Sequence, residues 1–293
     1  MFLVVIDEVK NIRLEGIRDF HPVHIFDCGQ AFRWNFDGEG YAGIVGSKAI
    51  RVLYAGDSVI LENCTMDDYK SIWEHYFDFN RDYSEIKGLL SSRDPVLKEA
   101  VRHGWGIRIL NQDPWETLVS FIISANNNIA RIKKIIERLC ECFGEPVSMN
   151  GREYYTFPSP KFLADAGEEA LKSCGCGYRA PYIEKTSRMV LEGGMPLSDL
   201  KGITYAEAYE HILKYPGVGP KVADCILLFS LQKGEAFPVD VWVKRVMEHY
   251  YAKEPMPPNK IKALSASLFG EYAGLAQQYL FYYAREQKIG KKE

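Results

Sequence analysis

The spacing of apolar residues changes once along the chain, and that change limits the fold more than any other feature. Over residues 31 to 63 the pattern alternates: Phe32, Trp34 and Phe36 fall on one side, and apolar runs at 41 to 45, 49 to 54 and 59 to 61 follow. Period two is the mark of strands with one buried face. Asp37-Gly38-Glu39-Gly40, Gly46-Ser47-Lys48 and Ala55-Gly56-Asp57 supply the breaks, because glycine accepts the positive φ of short hairpin turns. This predicts an antiparallel meander. After about residue 65 the period becomes helical, with Tyr69, Ile72, Trp73, Tyr76 and then Ile86, Leu89, Leu90 spaced at three and four. The expected fold class is α+β: an N-terminal antiparallel β-sheet domain with helices over residues 1–108, then a mainly α-helical domain over 109–293.

Helix starts are written clearly. Asp113-Pro114-Trp115-Glu116 places an acceptor at the cap, proline where its missing N–H costs nothing, and a glutamate at capping-box spacing. The helix that follows carries Leu118, Phe121 and Ile122 toward a core. Asn126-Asn127-Asn128 then interrupts the pattern, as a helix cap would, and a second helix is expected over residues 129–142, closed by Gly144.

Composition narrows the class. With 293 residues, 47% hydrophobic and 13% aromatic, the chain is long enough for two packed domains and too apolar to be disordered. It has no run of about 18 apolar residues, and Asp7 and Glu8 follow the first apolar stretch where a secretory signal needs a basic start. Membrane insertion and export are not expected. Seven cysteines, at 28, 64, 140, 142, 174, 176 and 225, are an odd count without a disulfide framework, which fits a reducing compartment. The pairs Cys140/Cys142 and Cys174/Cys176 are closer than zinc ligands favour, so no metal is expected. The net charge of −3 opposes nucleic-acid binding. Residues 1–99, however, hold 11 basic and 17 acidic side chains while residues 251–293 hold 7 and 4, which leaves the later part able to present a basic face.

The stretch with most chemistry lies near 204–232. Thr204 and Glu207 sit at capping-box spacing, and Tyr215-Pro216-Gly217-Val218-Gly219-Pro220-Lys221 reads as a tight turn between two helices. Gly217 and Gly219 flank one apolar residue, so the backbone can turn sharply while Val218 fills the gap. Such a turn either joins two helices and nothing more, or aims successive backbone N–H groups at an anion such as a DNA phosphate. Lys221 falls in the first turn of the second helix, where the helix dipole disfavours an ammonium and so favours a nucleophilic amine. Asp240, 19 residues later, precedes another helix and can serve as its cap or as a reacting carboxylate.

At these residues the chain resembles the helix–hairpin–helix (HhH-GPD) DNA glycosylases, and specifically the 8-oxoguanine DNA glycosylase family. The resemblance extends beyond the hairpin to Cys28-Gly29-Gln30-Ala31-Phe32-Arg33-Trp34, Asn111-Gln112-Asp113-Pro114, Ser124-Ala125-Asn126-Asn127-Asn128-Ile129-Ala130-Arg131, Gly177-Tyr178-Arg179-Ala180 and Ala276-Gln277-Gln278-Tyr279-Leu280-Phe281, all in order. It implies that Lys221 attacks the sugar C1′ and forms a Schiff base, which permits strand cleavage by β-elimination, with Asp240 stabilising charge on the sugar. It further implies that Phe281 and Cys225 sandwich the extruded base, that Gln277 meets its Watson–Crick edge, and that the Gly29 carbonyl accepts N7–H. Asn126, Arg131, Tyr178 and Arg179 match positions that fill the gap, wedge the stack and contact the orphaned cytosine.

The implied partner is double-stranded DNA carrying 8-oxoguanine, preferably opposite cytosine, bound by a monomer without a cofactor in the cytoplasm, at the nucleoid. Eukaryotic members of the family carry a histidine and a partner aspartate where this chain has Trp242 and Ala284. An iron–sulfur relative would need four cysteines after Asp240, and the last is Cys225. An alkylated-base glycosylase of the same fold usually lacks the lysine, and a non-catalytic hairpin module would have no use for it.

Overall fold

The computed structural model describes residues 2–8 and 10–290. Its N-terminal part is a six-stranded antiparallel sheet: β1 (Leu3–Glu8), β2 (Asn11–Glu15), β3 (Trp34–Phe36), β4 (Tyr41–Val45), β5 (Lys48–Ala55) and β6 (Ser58–Glu62), ordered β1-β2-β6-β5-β4-β3. The expected meander is β3 to β6. The first two strands extend the sheet beyond it: Ile12 lies opposite Leu61 and Leu14 opposite Val59, all four buried. Cross-strand apolar pairs of this kind stabilise a sheet.

The expected common face of Phe32, Trp34 and Phe36 does not form. Trp34 is fully buried and Phe36 is 62% exposed, because β3 is a three-residue edge strand that runs out at the following turn. Phe32 precedes the strand and packs instead edge-on against Phe121, 5.4 Å between ring centroids. Trp34 faces Gly43 across the ladder, where a Cβ would stand only 2.3 Å from the indole. The glycine makes room for the ring, which stacks on Phe26 at 4.1 Å and donates its Nε1 hydrogen to the Tyr76 hydroxyl at 2.9 Å.

The rest is mainly helical: α1 (Pro22–Phe26), α2 (Tyr83–Arg93), α3 (Pro95–His103), α4 (Pro114–Ser124), α5 (Ile129–Phe143), α6 (Pro160–Ser173), α7 (Ala180–Glu192), α8 (Tyr205–Ile212), α9 (Pro220–Ser230), α10 (Val241–Met247), α11 (Pro258–Phe269) and α12 (Ala273–Glu286). A small hairpin, β7 (Pro146–Met149) with β8 (Arg152–Tyr155), lies between α5 and α6. Leu118, Ile132, Ile226 and Leu280 meet in one core shared by α4, α5, α9 and α12. Among the described residues no helix is long and apolar enough to cross a membrane.

The caps follow the sequence with one correction. Asp113 accepts from the Glu116 N–H at 2.8 Å, but Glu116 does not reach back to close the box. Its carboxylate lies 3.8 Å from the Arg33 guanidinium, in surroundings dry enough to push it up to about 7. Thr204 and Glu207 do form a reciprocal box.

Behind the hairpin, α8, α9 and α11 meet at a buried charge. Asp224 accepts from Lys262 at 2.8 and 2.9 Å and from the Tyr205 hydroxyl at 2.6 Å. The ammonium also lies 4.1 Å from the centre of the Tyr209 ring. Burial raises the Asp224 carboxyl while Lys262 and Tyr205 draw it back down. Removing the cation strands a buried carboxylate, so Lys262→Met should lower the unfolding free energy by about 3 kcal/mol, read from urea denaturation. A loss below about 1 kcal/mol would mean that the pair acts as an exposed one.

Candidate active site

Helix α9 starts without a side-chain cap among the described residues: Gly219 stands at the cap, Pro220 follows, and Lys221 is in the first turn. The first N–H groups of an uncapped helix are open to an anion. Gly217 has φ 81°, and a Cβ there would press to 3.0 Å on the Tyr182 ring. Gly219 differs from expectation. Its φ of −101° suits any residue, and a Cβ there meets nothing within 4 Å, so the turn itself requires only the first glycine.

A cavity of about 410 Å³ opens beside this helix, and Gly29, Lys221, Cys225, Asp240, Gln277 and Phe281 all line it. These six residues come from a loop after α1, from α9, from the start of α10 and from α12. The Lys221 ammonium sits 5.2 Å from the centre of the Phe121 ring. Asp240 caps α10, with one carboxylate oxygen accepting from the Val243 N–H at 2.8 Å. Burial raises its carboxyl above the ordinary aspartate value, opposed by that hydrogen bond and by the charge of Lys221.

The other walls are less polar. Burial pushes the Cys225 thiol up to about 11, so it stays protonated at neutral pH and is an apolar wall, not a competing nucleophile. Gln277 is 4% exposed, and its Oε1 has no hydrogen-bond partner among the described residues. An unpaired buried acceptor is costly, and a ligand with an N–H would satisfy it. Gly29 holds φ 79°, and a Cβ on it would stand 3.4 Å from both Ile129 and Phe281.

The surface residues divide into two groups. Asn126 has φ 50° in an exposed turn, and Tyr178 is 56% exposed with its hydroxyl donating to the Ala125 carbonyl at 3.2 Å. Arg179 joins them from below. It is 4% exposed, donates to the carbonyls of Ala125 and Asn126, and lies 4.3 Å from the Tyr178 ring centre. The positive-φ turn leaves these carbonyls without helix partners, and the guanidinium supplies donors to them. In this state Arg179 braces the turn and does not reach the surface. Arg131 stands apart, exposed on α5, with its backbone N–H donating to the Asn128 cap at 3.0 Å.

Trp242 lines the cavity, with the Arg245 guanidinium 4.9 Å from its ring, whereas Ala284 is fully buried in the core. Its neighbour Arg285 reaches the cavity and lies 5.3 Å from the Phe281 ring centre. Arg285 and Gln278 also line the cavity and were not anticipated. The signal was the four-residue spacing of 277, 281 and 285, which puts these side chains on one face of α12.

Comparison with known proteins agrees with this geometry. Residues 14–118 match the 8-oxoguanine DNA glycosylase N-terminal domain, and residues 119–271 match the HhH-GPD superfamily of base excision DNA repair proteins. A probable N-glycosylase/DNA lyase of Methanothermobacter thermautotrophicus is 36% identical over 74% of this chain and 75% of its own length. The N-glycosylase/DNA lyase OGG1 of Arabidopsis thaliana is 35% identical over 87% of this chain and 75% of its own. The crystal structure of the Clostridium acetobutylicum 8-oxoguanine glycosylase/lyase, in complex with DNA containing cytosine opposite 8-oxoguanine, superposes with a TM-score of 0.94 at 43% identity, covering 99% of both chains. This chain therefore belongs to the 8-oxoguanine DNA glycosylase family of the HhH-GPD superfamily.

Proposed function

We propose that Lys221 and Asp240 carry the glycosylase and lyase chemistry by which this enzyme removes 8-oxoguanine from duplex DNA. The observation that supports this most directly is a lysine and a carboxylate in one cavity, on the first turn of α9 and at the cap of α10. The amine attacks C1′ as the N-glycosidic bond breaks, and the base leaves with the bonding electrons. Asp240, negative and fixed by its hydrogen bond to Val243, stabilises the positive charge that develops on the sugar. Ring opening gives an imine between Lys221 and C1′. Loss of a C2′ proton then expels the 3′ phosphate, and water releases the lysine.

The lesion must leave the stack before this can happen, which costs a few kcal/mol. The proposed assignments are Phe281 and Cys225 against the faces of the base, Gln277 at its Watson–Crick edge, and the Gly29 carbonyl at N7. Guanine has a lone pair at N7 where 8-oxoguanine has a hydrogen, so one backbone acceptor meets opposite partners in the two bases. Tyr178 and Asn126 wedge the duplex from two adjoining turns, and the uncapped amides at the start of α9 take a phosphate, with Gly219 leaving clearance for it. Arg131, exposed on α5, meets the orphaned cytosine.

Lys221→Gln should abolish base release and borohydride trapping while lesion DNA still binds, because binding rests on phosphate contacts and extrusion. Undiminished trapping would place the imine on another amine. The Asp240 carboxyl gives a second expectation, with its sign fixed by burial. The ionised form is the working one and its pKa is raised, so kcat/KM should fall as pH drops through a value above the ordinary 3.8. Asp240→Asn should lose that acid limb together with about 100-fold in rate. A limb that survives in Asp240→Asn would belong to another group.

Opposite-base choice tests Arg131. Cytosine presents O2 and N3 acceptors to a guanidinium, whereas thymine offers a donor at N3. Arg131→Met should relax the preference for cytosine by about tenfold or more while excision opposite cytosine persists. Cleavage rates opposite all four bases decide it, and an unchanged ratio would rule out this role.

A further inference from the structure

The loop that presents Gly29 is held at almost every polar atom except the one that the recognition reading needs. The Asp27 carbonyl accepts from Arg285 Nη2 at 2.7 Å, and the Cys28 carbonyl accepts from Gln278 Nε2 at 2.7 Å. On the far side, the Gln30 carbonyl accepts from Gln112 Nε2 at 2.8 Å. The Gln30 side chain is fully buried, donating to the carbonyls of Ile25 at 3.0 Å and Arg108 at 2.8 Å and accepting from the Leu110 N–H at 2.9 Å. Between these anchors the Gly29 carbonyl takes no hydrogen bond among the described residues. Gly29 is also the residue with most freedom to turn, at φ 79° and with no side chain to restrain it.

Two of the anchors belong to α12, the helix that carries Gln277 and Phe281. Gln278 is fully buried and adjacent to Gln277, and the Arg285 guanidinium lies along the Phe281 ring. One helix thus supplies the side chains at the edge and face of the base site and also grips the two carbonyls that precede Gly29. If those grips were absent, the glycine could rotate its carbonyl toward solvent, and the acceptor would no longer be aimed.

We propose that Gln278 and Arg285 are positioning residues that fix the direction of the Gly29 carbonyl and thereby set the discrimination between 8-oxoguanine and guanine. The proposal rests on the reading of Gly29 as the acceptor for N7–H. Neither side chain takes part in bond breaking. Gln278 carries no charge, so its effect is confined to steps in which a base occupies the cavity; the Arg285 guanidinium also helps to keep the Asp240 carboxyl ionised, so its charge has to be kept where the sugar chemistry is compared.

The test uses uncleavable duplexes with 2′-fluoro-8-oxoguanosine or 2′-fluoroguanosine opposite cytosine, and the ratio of their Kd values. Gln278→Leu and Arg285→Met should each shrink the wild-type ratio by about tenfold, as loss of one well-aimed hydrogen bond does. Arg285→Lys, which keeps a donor, should restore most of it. Strand cleavage at a preformed abasic site opposite cytosine should stay within about twofold in Gln278→Leu and Arg285→Lys, which leave the charge around Asp240 as it is, because the sugar chemistry needs no base. A ratio unchanged in Gln278→Leu and Arg285→Met, or abasic-site cleavage that falls in parallel with the ratio in Gln278→Leu, would overturn the proposal and leave the Gly29 reading standing. Equal affinity of the wild-type protein for both duplexes would overturn the Gly29 reading, and the proposal with it.

Discussion

The hydrogen bond from the Val243 N–H to Asp240 holds a carboxylate at the start of α10, and the rest of the cavity depends on that carboxylate staying where it is. An aspartate beside a lysine, left free, rotates toward the ammonium and settles into an ion pair. Here one oxygen is committed to the helix cap, while burial disfavours charge on the carboxyl and the neighbouring Lys221 restores it. The lysine is fixed by the same device. Its place in the first turn of α9 follows from a turn that uses Gly217 at positive φ and Pro220 at a position with no N–H to lose. The two groups proposed to react are thus located by two helix starts, and helix starts are rigid where loops are not.

Around this pair the site is assembled from distant parts of the chain. Gly29 comes from the sheet-bearing N-terminal part, while Gln277 and Phe281 come from the last helix. What joins them is buried amide chemistry. Gln30 reaches the Arg108 and Leu110 backbone, and Gln278 reaches the Cys28 carbonyl. Buried amides with satisfied donors give direction as well as stability, since each bond fixes an angle that apolar packing would leave loose. Gly29 from one part and Phe281 from another can therefore line a single cavity of about 410 Å³.

Much of this was legible in the sequence, and the exceptions share physical causes. The helix starts at Asp113, Thr204 and Asp240 were readable because capping needs a particular residue at a particular offset. Strands β1 and β2 went unread although Ile12 and Leu14 alternate correctly, because a two-residue alternation is too short to stand out before its partner strand is known. Phe36 obeyed the period but lies beyond the covered part of an edge strand. Glu116 had the spacing of a capping box, yet tertiary contact with Arg33 took its carboxylate elsewhere. Arg179 was recognisable by motif, but that it braces the carbonyls of Ala125 and Asn126 depends on a backbone turn that no spacing rule specifies. Local rules fix ends of elements; three-dimensional neighbours decide where long polar side chains go.

The proposed roles of the Asn126 turn and of the cavity bear on how a single lesion is found among many normal guanines. One acceptor set against N7 is worth on the order of 1 to 3 kcal/mol, about tenfold to a hundredfold, which is small against the number of competing sites in a genome. Selection must therefore be applied more than once. Asn126, Tyr178 and Arg179 are not themselves part of the cavity lining; they lie on the approach to α5 and in the short turn before α7, tied together by their own hydrogen bonds. The cavity has its own supports in Gln278 and Arg285. The two regions adjoin, since Ser124, Asn127 and Asn128 on either side of Asn126 line the cavity, so the cost of disturbing the duplex and the gain from accepting the base meet in one segment. A third threshold lies at the chemistry itself, where a base that settles imperfectly holds C1′ away from the amine, and small misplacements of reacting atoms cost large factors in rate.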